Sequence, residues 1–213
     1  LPSQIAAQVS CGPASSLLEH LTDVVFFATP AEVSMELAPK VLEAGGKVID
    51  LSGAFRLKKN EYEKWYGFEH SQKALLGQAH YGLLPWATPN EKVNLIANPG
   101  CYATAISLAL IPLLKESLIF EDSIVVDAKS GTTGAGKKAS ESQLFAEVDG
   151  ECLPYKVGRH QHYPEITESV EAFSGKKLSA HMTTSLIPVR RGIIAGVYAQ
   201  LKENITAENV EAA

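Results

Sequence analysis

Asp23-Val24-Val25-Phe26-Phe27-Ala28-Thr29-Pro30, followed by Lys47-Val48-Ile49-Asp50-Leu51, decides the fold. Behind Asp23 the first run is continuously apolar, the pattern of a parallel strand buried on both faces. Thr29 then offers a helix N-cap, Pro30 the first helical position, and Glu32 the reach-back residue of a capping box. Val33, Leu37 and Val41 recur every four residues with Ala38 and Leu42 beside them, so the intervening segment is a helix with one apolar face, ended by Gly45-Gly46. Strand, helix and strand in this order form a βαβ unit, which predicts parallel strands and a right-handed crossover.

Before this unit, residues 1–20 show no clear period and read as connection or partial helix. Beyond it, Ser52 to Leu57 follow the carboxyl end of a strand, where open α/β sheets place ligand-binding groups, and Arg56 is the charge in that loop. Glu61 to His70 mixes aromatic and charged residues and reads as a short helix with a lid-like tail. Val93 to Ala97 is a further strand, and it delivers Asn98-Pro99-Gly100-Cys101-Tyr102-Ala103-Thr104 to a helix running from about Tyr102 to Lys115. A cysteine at a strand-to-helix turn sits beside unpaired backbone N–H groups and the positive end of a dipole, which biases it toward the thiolate that attacks carbonyl carbon. Gly100 permits the tight turn and Pro99 stiffens the approach.

Farther on, Ser123 to Ala128 is a strand that runs into the glycine-rich loop Ser130-Gly131-Thr132-Thr133-Gly134-Ala135-Gly136-Lys137-Lys138. The loop nearly matches the pattern G-x-x-x-x-G-K-[ST] but has Lys138 where a hydroxyl would hold Mg²⁺, so it reads as a loop against a cofactor or a substrate phosphate. Lys177 to Pro188 and Gly192 to Leu201 are β-rich runs around Val189-Arg190-Arg191 and predict an antiparallel hairpin. Thr206 to Glu211 begins a helix. The fold class is therefore α/β. A partial Rossmann-type parallel β/α domain spans residues 1–100, and an α+β catalytic domain with a mixed or antiparallel sheet spans residues 101–213.

With 213 residues, 46% hydrophobic and 20% charged, the chain is neither disordered nor fibrous. Its formal net charge of −5 and the lack of a long basic run give no electrostatic footprint for nucleic acid or an anionic membrane, which leaves a small-molecule partner. Cys11, Cys101 and Cys152 are few, odd in number and far apart, which points to a reducing compartment rather than a disulfide framework. No stretch reaches the roughly 18 apolar residues of a membrane span. A cytoplasmic location is expected.

Gly158-Arg159-His160-Gln161-His162-Tyr163-Pro164-Glu165 places two histidines two residues apart. With Glu165 they fall short of the ligand set zinc usually takes, so no metal site is expected. One cysteine and a distant histidine are also the composition of a thiol enzyme whose partners meet only in space. Trp65 and Trp86 read as packing residues.

These pieces together resemble the N-acetyl-γ-glutamyl-phosphate reductases, relatives of aspartate-semialdehyde dehydrogenase. The matching segments are Asp50-Leu51-Ser52-Gly53-Ala54-Phe55-Arg56-Leu57, Tyr66-Gly67, Asn98 to Thr104, Ser130 to Gly136, His160 to Ile166, and Leu186-Ile187-Pro188 with Arg191-Gly192-Ile193, all in the family's order. Ala103 departs from the family's usual proline, and Ser185 from its frequent histidine. The resemblance implies Cys101 as nucleophile and His160 as general acid or base. It also implies Arg56, His162 and Glu165 as substrate-binding residues, with Glu165 fixing either His160 or the substrate amide. Thr29, Pro30, Ser130, Gly131, Gly134, Ala135 and Gly136 would bind NADP(H). The implied reaction is reduction of an acyl phosphate to a semialdehyde with release of phosphate, through a cysteine thioester, in a homo-oligomer, dimer or tetramer. A sister reductase of aspartyl or aminoadipyl phosphate, a cofactor-independent Cys/His thiol hydrolase, and a non-catalytic binding or assembly piece are the alternatives. The glycine-rich βα unit that opens a family chain and the helix that closes it are not found in the sequence, so the piece alone is expected to keep a reactive thiol and to reduce poorly.

Overall fold

The computed structural model describes residues 11–136 and 139–213. Along these residues run β1 (Val24–Phe27), α1 (Ala31–Glu43), β2 (Lys47–Asp50), α2 (Tyr62–Tyr66), α3 (Lys73–Leu76), β3 (His80–Tyr81), β4 (Leu95–Ala97) and α4 (Cys101–Lys115). Then follow β5 (Ile124–Gly131), α5 (Phe145–Val148), β6 (Leu153–Pro154), α6 (His162–Ser174), β7 (Ala180–Ile187), β8 (Ile193–Tyr198) and α7 (Ala207–Glu211). Two four-stranded sheets result, one in the order β1-β2-β4-β3 and the other β6-β7-β5-β8.

The first sheet is parallel throughout, as the βαβ pattern requires, and its register pairs Phe27 with Asp50 and Asp50 with Ala97. The loops after β1, β2 and β4 therefore leave one edge of the sheet together, bringing Thr29-Pro30, Ser52 to Arg56, and Asn98 to Cys101 to a common side. Met35, Ala38 and Val41 of α1 pack on Phe27, Val48, Leu95 and Ala97. Two expectations are corrected in this part. Among the described residues β1 is an edge strand, with Phe26 64% exposed, so it is not buried on both faces. Helix α1 starts one residue later than predicted, with Pro30 as N-cap and no side-chain cap, because the Thr29 hydroxyl bonds to Ser34 Oγ at 2.8 Å and does not turn back on the backbone.

The lid-like tail after α2 is also corrected. Gly67 closes α2 in a left-handed conformation, and the chain then folds inward until His70 is 1% exposed. His70 packs among Phe55, Tyr62 and Phe68, its Nε2 at 2.6 Å from the Ala54 carbonyl oxygen. Aromatic side chains bury too much apolar surface to be left as a flap. Trp65 stays at the surface of α2, its Nε1 donating to Glu61 Oε2 and its ring 6.2 Å from that of Tyr163 on α6.

In the second sheet β5 is central. It pairs parallel with β7 over Ile124–Gly131 and antiparallel with β8 over Val125–Ser130, while β6 pairs antiparallel with β7. The predicted hairpin of β7 and β8 does not form, because β5 lies between them. The end of β5 inserts into their connection: Gly131 N donates to Gly192 O, and a Cβ at Gly131 would stand 2.7 Å from Val189 O. Ile124, Val126 and Ala128 face α4 and α6, whose Ile106, Leu110, Ile111, Leu114, Ile166 and Val170 complete the core of this half. Leu110 is fully buried at its centre, so Leu110→Ala is expected to remove about 3 kcal/mol of stability, as loss of a buried leucine does, read as a fall in urea midpoint at unchanged slope.

Candidate active site

β4 ends at Ala97, the chain turns through Asn98-Pro99-Gly100, and α4 begins on Cys101 itself. Gly100 is the N-cap, and its carbonyl accepts the first helical bond from Thr104 N at 2.8 Å. Cys101 is exposed at the mouth of a cavity of about 510 Å³. The wall of that cavity includes Tyr102, Ser130, Gly134, Ala135, Tyr155, His160 and His162.

His160 and His162 bracket the start of α6. The backbone N–H of His162 donates to His160 Nδ1 at 3.1 Å, so the proton of a neutral His160 ring sits on Nε2. The two rings meet edge to face with centroids 4.8 Å apart, and Tyr102 and Tyr155 stand at 5.1 and 5.7 Å from His160, their own hydroxyls 3.0 Å apart. Burial, reinforced by the Lys156 charge, pulls His160 down to about 4. Burial, with His160 and Arg56 adding to it, pulls His162 down to about 3. Both imidazoles are neutral near pH 7. The His162 ring lies against the Gly100 backbone so closely that a Cβ at Gly100 would be 2.6 Å from His162 Cε1, and only glycine fits that turn.

Arg56 and Glu165 stand apart from the cavity. Arg56 Nε donates to Asn98 O at 2.7 Å and Nη2 to Leu51 O at 2.8 Å, with the side chain 7% exposed. Glu165, 1% exposed, accepts from Gly100 N at 2.7 Å and from Tyr81 Oη at 2.9 Å. Burial pushes its carboxyl above the usual range against the opposing pull of Arg56 and the Gly100 N–H. Its bonds run to the nucleophile turn, so the expectation that it fixes His160 is not met.

Of the proposed cofactor residues, Ser130, Gly134 and Ala135 line the cavity. Gly134 lies close over Ser130, where a Cβ would come within 2.7 Å of the hydroxyl. Gly131 is engaged by the β7–β8 connection, and Gly136, at φ 82°, leaves the 3₁₀ turn that spans Thr132–Ala135. Thr29 and Pro30 lie at the loop edge of the parallel sheet, away from the cavity. Thr132 N and Thr133 N donate to Val189 O and Arg190 O, so these two amides of the loop are not free to cradle a phosphate. Lys137 and Lys138 of that near-match lie outside the described residues. Among the described residues no group of three His, Cys, Asp or Glu side chains is placed to hold a metal ion, and no helix is long and apolar enough to cross a membrane.

Sequence reasoning missed Tyr155, Lys156, Ser142 and Gln143, which also line the cavity. Lys156, held at φ 45° and bonded to Gln161 Oε1 at 2.6 Å, brings the cavity its cationic side chain. Its place next to the His-x-His segment was the available signal.

Two family models match the chain. Residues 101–213 match the model of the semialdehyde dehydrogenase dimerisation domain, and residues 7–94 that of the semialdehyde dehydrogenase NAD binding domain. The chain is 49% identical over 190 residues to the N-acetyl-γ-glutamyl-phosphate reductase of Geobacillus sp. (strain WCH70), covering 88% of this chain and 55% of that protein. It is 46% identical over 191 residues to the protein of the same name from Streptococcus thermophilus (strain ATCC BAA-491 / LMD-9), covering 90% of this chain and 56% of the relative. The chain thus spans about half the length of the curated relatives it matches. A crystal structure of aspartate semialdehyde dehydrogenase II from Vibrio cholerae shares the fold with a TM-score of 0.65 at 19% identity, over 91% of this chain and 61% of that one.

The two buried histidines set an acid limit. Because the folded state holds both neutral at values below the roughly 6.5 of an unfolded histidine, the unfolded chain binds more protons as pH falls. Their contribution is complete above about pH 6.5 and is lost as the pH drops toward 4 and then 3. Urea midpoints measured across this range should fall with acidification, and His160→Gln should flatten that fall.

Proposed function

The chain belongs to the semialdehyde dehydrogenase family, and from that membership we propose that the protein reduces N-acetyl-γ-glutamyl phosphate to N-acetyl-L-glutamate 5-semialdehyde with NADPH, a step of arginine biosynthesis. The observation that carries the reading is a cysteine on the first residue of a helix, sharing one cavity with a neutral histidine whose Nδ1 is already engaged. We propose residues 1–100 as the partial dinucleotide-binding domain and 101–213 as the catalytic and oligomerisation domain.

The Cys101 thiolate attacks the acyl carbon, inorganic phosphate leaves, and a thioester remains on Sγ. Tyr102, Tyr155 and His162 wall the acyl chain, and Lys156 faces the anionic end of the substrate. Ser130, Gly134 and Ala135 would hold the nicotinamide end of the cofactor, since the close approach of Gly134 to Ser130 leaves a side-chain-free surface on the cavity. When bound there, the nicotinamide would supply a hydride to the thioester carbon. His160, carrying its proton on Nε2, acts as general acid to the oxyanion that develops there and takes the proton back as collapse to the aldehyde returns the thiolate. Thr29, Pro30, Gly131 and Gly136 remain proposed contacts to the rest of the cofactor.

We further propose a homo-oligomer. Val125 of β5 faces Tyr198 of β8, and Ile194 stands on the same outer face of the second sheet; the three are 42%, 63% and 67% exposed. A cytoplasmic location suits Cys11, Cys101 and Cys152, all free and exposed.

Cys101→Ala is expected to abolish phosphate-dependent oxidation of N-acetylglutamate semialdehyde with NADP while leaving the far-UV circular dichroism unchanged; activity retained above a few per cent would overturn the nucleophile, and faster turnover of aspartate semialdehyde by the parent would overturn the substrate. His160→Asn is expected to lower turnover by about 10² to 10⁴, the scale of lost acid/base catalysis, and a comparable loss at His162 with none at His160 would reverse the roles of the pair.

A further inference from the structure

The helix that carries Cys101 starts on a residue that cannot cap it. Gly100 has no side chain, and Ala103, at the third helical position, has nothing to reach back to the N-cap amide as the Glu or Gln of a capping box does. A serine or aspartate in place of Gly100 is excluded by the His162 ring that lies on it. The N–H of Gly100 is nonetheless buried and paired, because Glu165 Oε1 accepts it at 2.7 Å from helix α6, 65 residues along the chain. The same oxygen accepts the Tyr81 hydroxyl at 2.9 Å, and Arg56 Nη1 stands 3.8 Å from Oε2. Arg56 in turn binds the Asn98 carbonyl, two residues before Gly100.

We propose that Glu165 is a positioning residue for Cys101: its carboxyl supplies from a second helix the reach-back half of a capping box, and with Arg56 and Tyr81 it locks the nucleophile turn. This deepens the function proposed above and rests on Cys101 being the nucleophile. Glu165 lies outside the cavity that Cys101 shares with His160, so its hold is on the turn and not on the ligand. Its two donors lie on β3 and in the nucleophile turn, and the Arg56 charge comes from the loop after β2, all in the first half, while Glu165 itself belongs to the second. The position of Sγ over an acyl carbon therefore depends on the docking of α6 against the parallel sheet. A misplacement of about 1 Å at a reacting atom costs about 100-fold in rate, which is the scale on which such a clamp matters.

The test compares Glu165→Ala, Glu165→Gln and Tyr81→Phe. In the folded 213-residue chain, amide hydrogen exchange at Gly100 read by NMR is expected to speed by about tenfold or more in Glu165→Ala relative to Leu110 in the core, and most of that loss is recovered in Glu165→Gln, whose amide oxygen still accepts the bond. In the intact protein, semialdehyde oxidation by Glu165→Ala is expected to lose about 10- to 100-fold in kcat with KM changed by less than about threefold, again partly rescued by Glu165→Gln. Tyr81→Phe, which keeps the acceptor and removes one of its donors, is expected to lower kcat by about threefold at unchanged KM, and it carries the test if Glu165→Ala fails to fold. Unchanged Gly100 exchange in Glu165→Ala, a raised KM at intact kcat, no kcat effect of Tyr81→Phe, or equal damage from Glu165→Gln and Glu165→Ala would each overturn the proposal. The exchange measurement needs no substrate, so it stands or falls separately from the assigned reaction.

Discussion

One buried amide, the N–H of Gly100, ties the fold to the site. A buried donor without a partner costs roughly 1 to 3 kcal/mol, and nothing within the turn can accept this one. The chain meets the demand with a carboxyl from α6, which requires α6 to pack beside α4 with Glu165 at the nucleophile turn. That docking brings the His-x-His segment, carried at the head of the same helix, over the cysteine. Satisfying one backbone group and assembling the cavity are the same packing event.

The electrostatics follow from this burial. Arg56 is held by two backbone carbonyls and a carboxylate, a network in which removing either charge strands the other in a medium that solvates it poorly. The histidines lie beside tyrosine rings and stay neutral near pH 7, so neither brings a fixed cation to the cavity. Among the described residues Lys156 brings a positive charge to the cavity wall, on an exposed side chain.

Much of this was legible in the order of residues. The βαβ unit and the cysteine at a strand-to-helix turn are local patterns, and periodicity and capping chemistry are local signals. What escaped was set by partners distant in sequence. The runs at 180–187 and 193–198 are β-rich and close together, yet nothing in them says that β5, more than fifty residues earlier, separates them. Glu61 to His70 has the composition of a surface segment, and only the aromatic cluster around His70 makes it interior. Thr29 has the chemistry of an N-cap but finds a nearer partner in Ser34. Glu165 was singled out from its motif, whereas its partner could not be, since a hydrogen bond to an amide 65 residues away leaves no trace in spacing.

The contact between Trp65 and Tyr163 has an optical consequence. The two rings, 6.2 Å apart, belong to opposite halves of the chain, one on α2 and the other on the helix that carries Glu165. Excitation of the tyrosine at that separation passes efficiently to the indole. The other tryptophan, Trp86, packs against the core of the second half. The indole of Trp65 is thus an intrinsic fluorophore at the contact between α2 and α6, and its emission reports on that contact without any label attached.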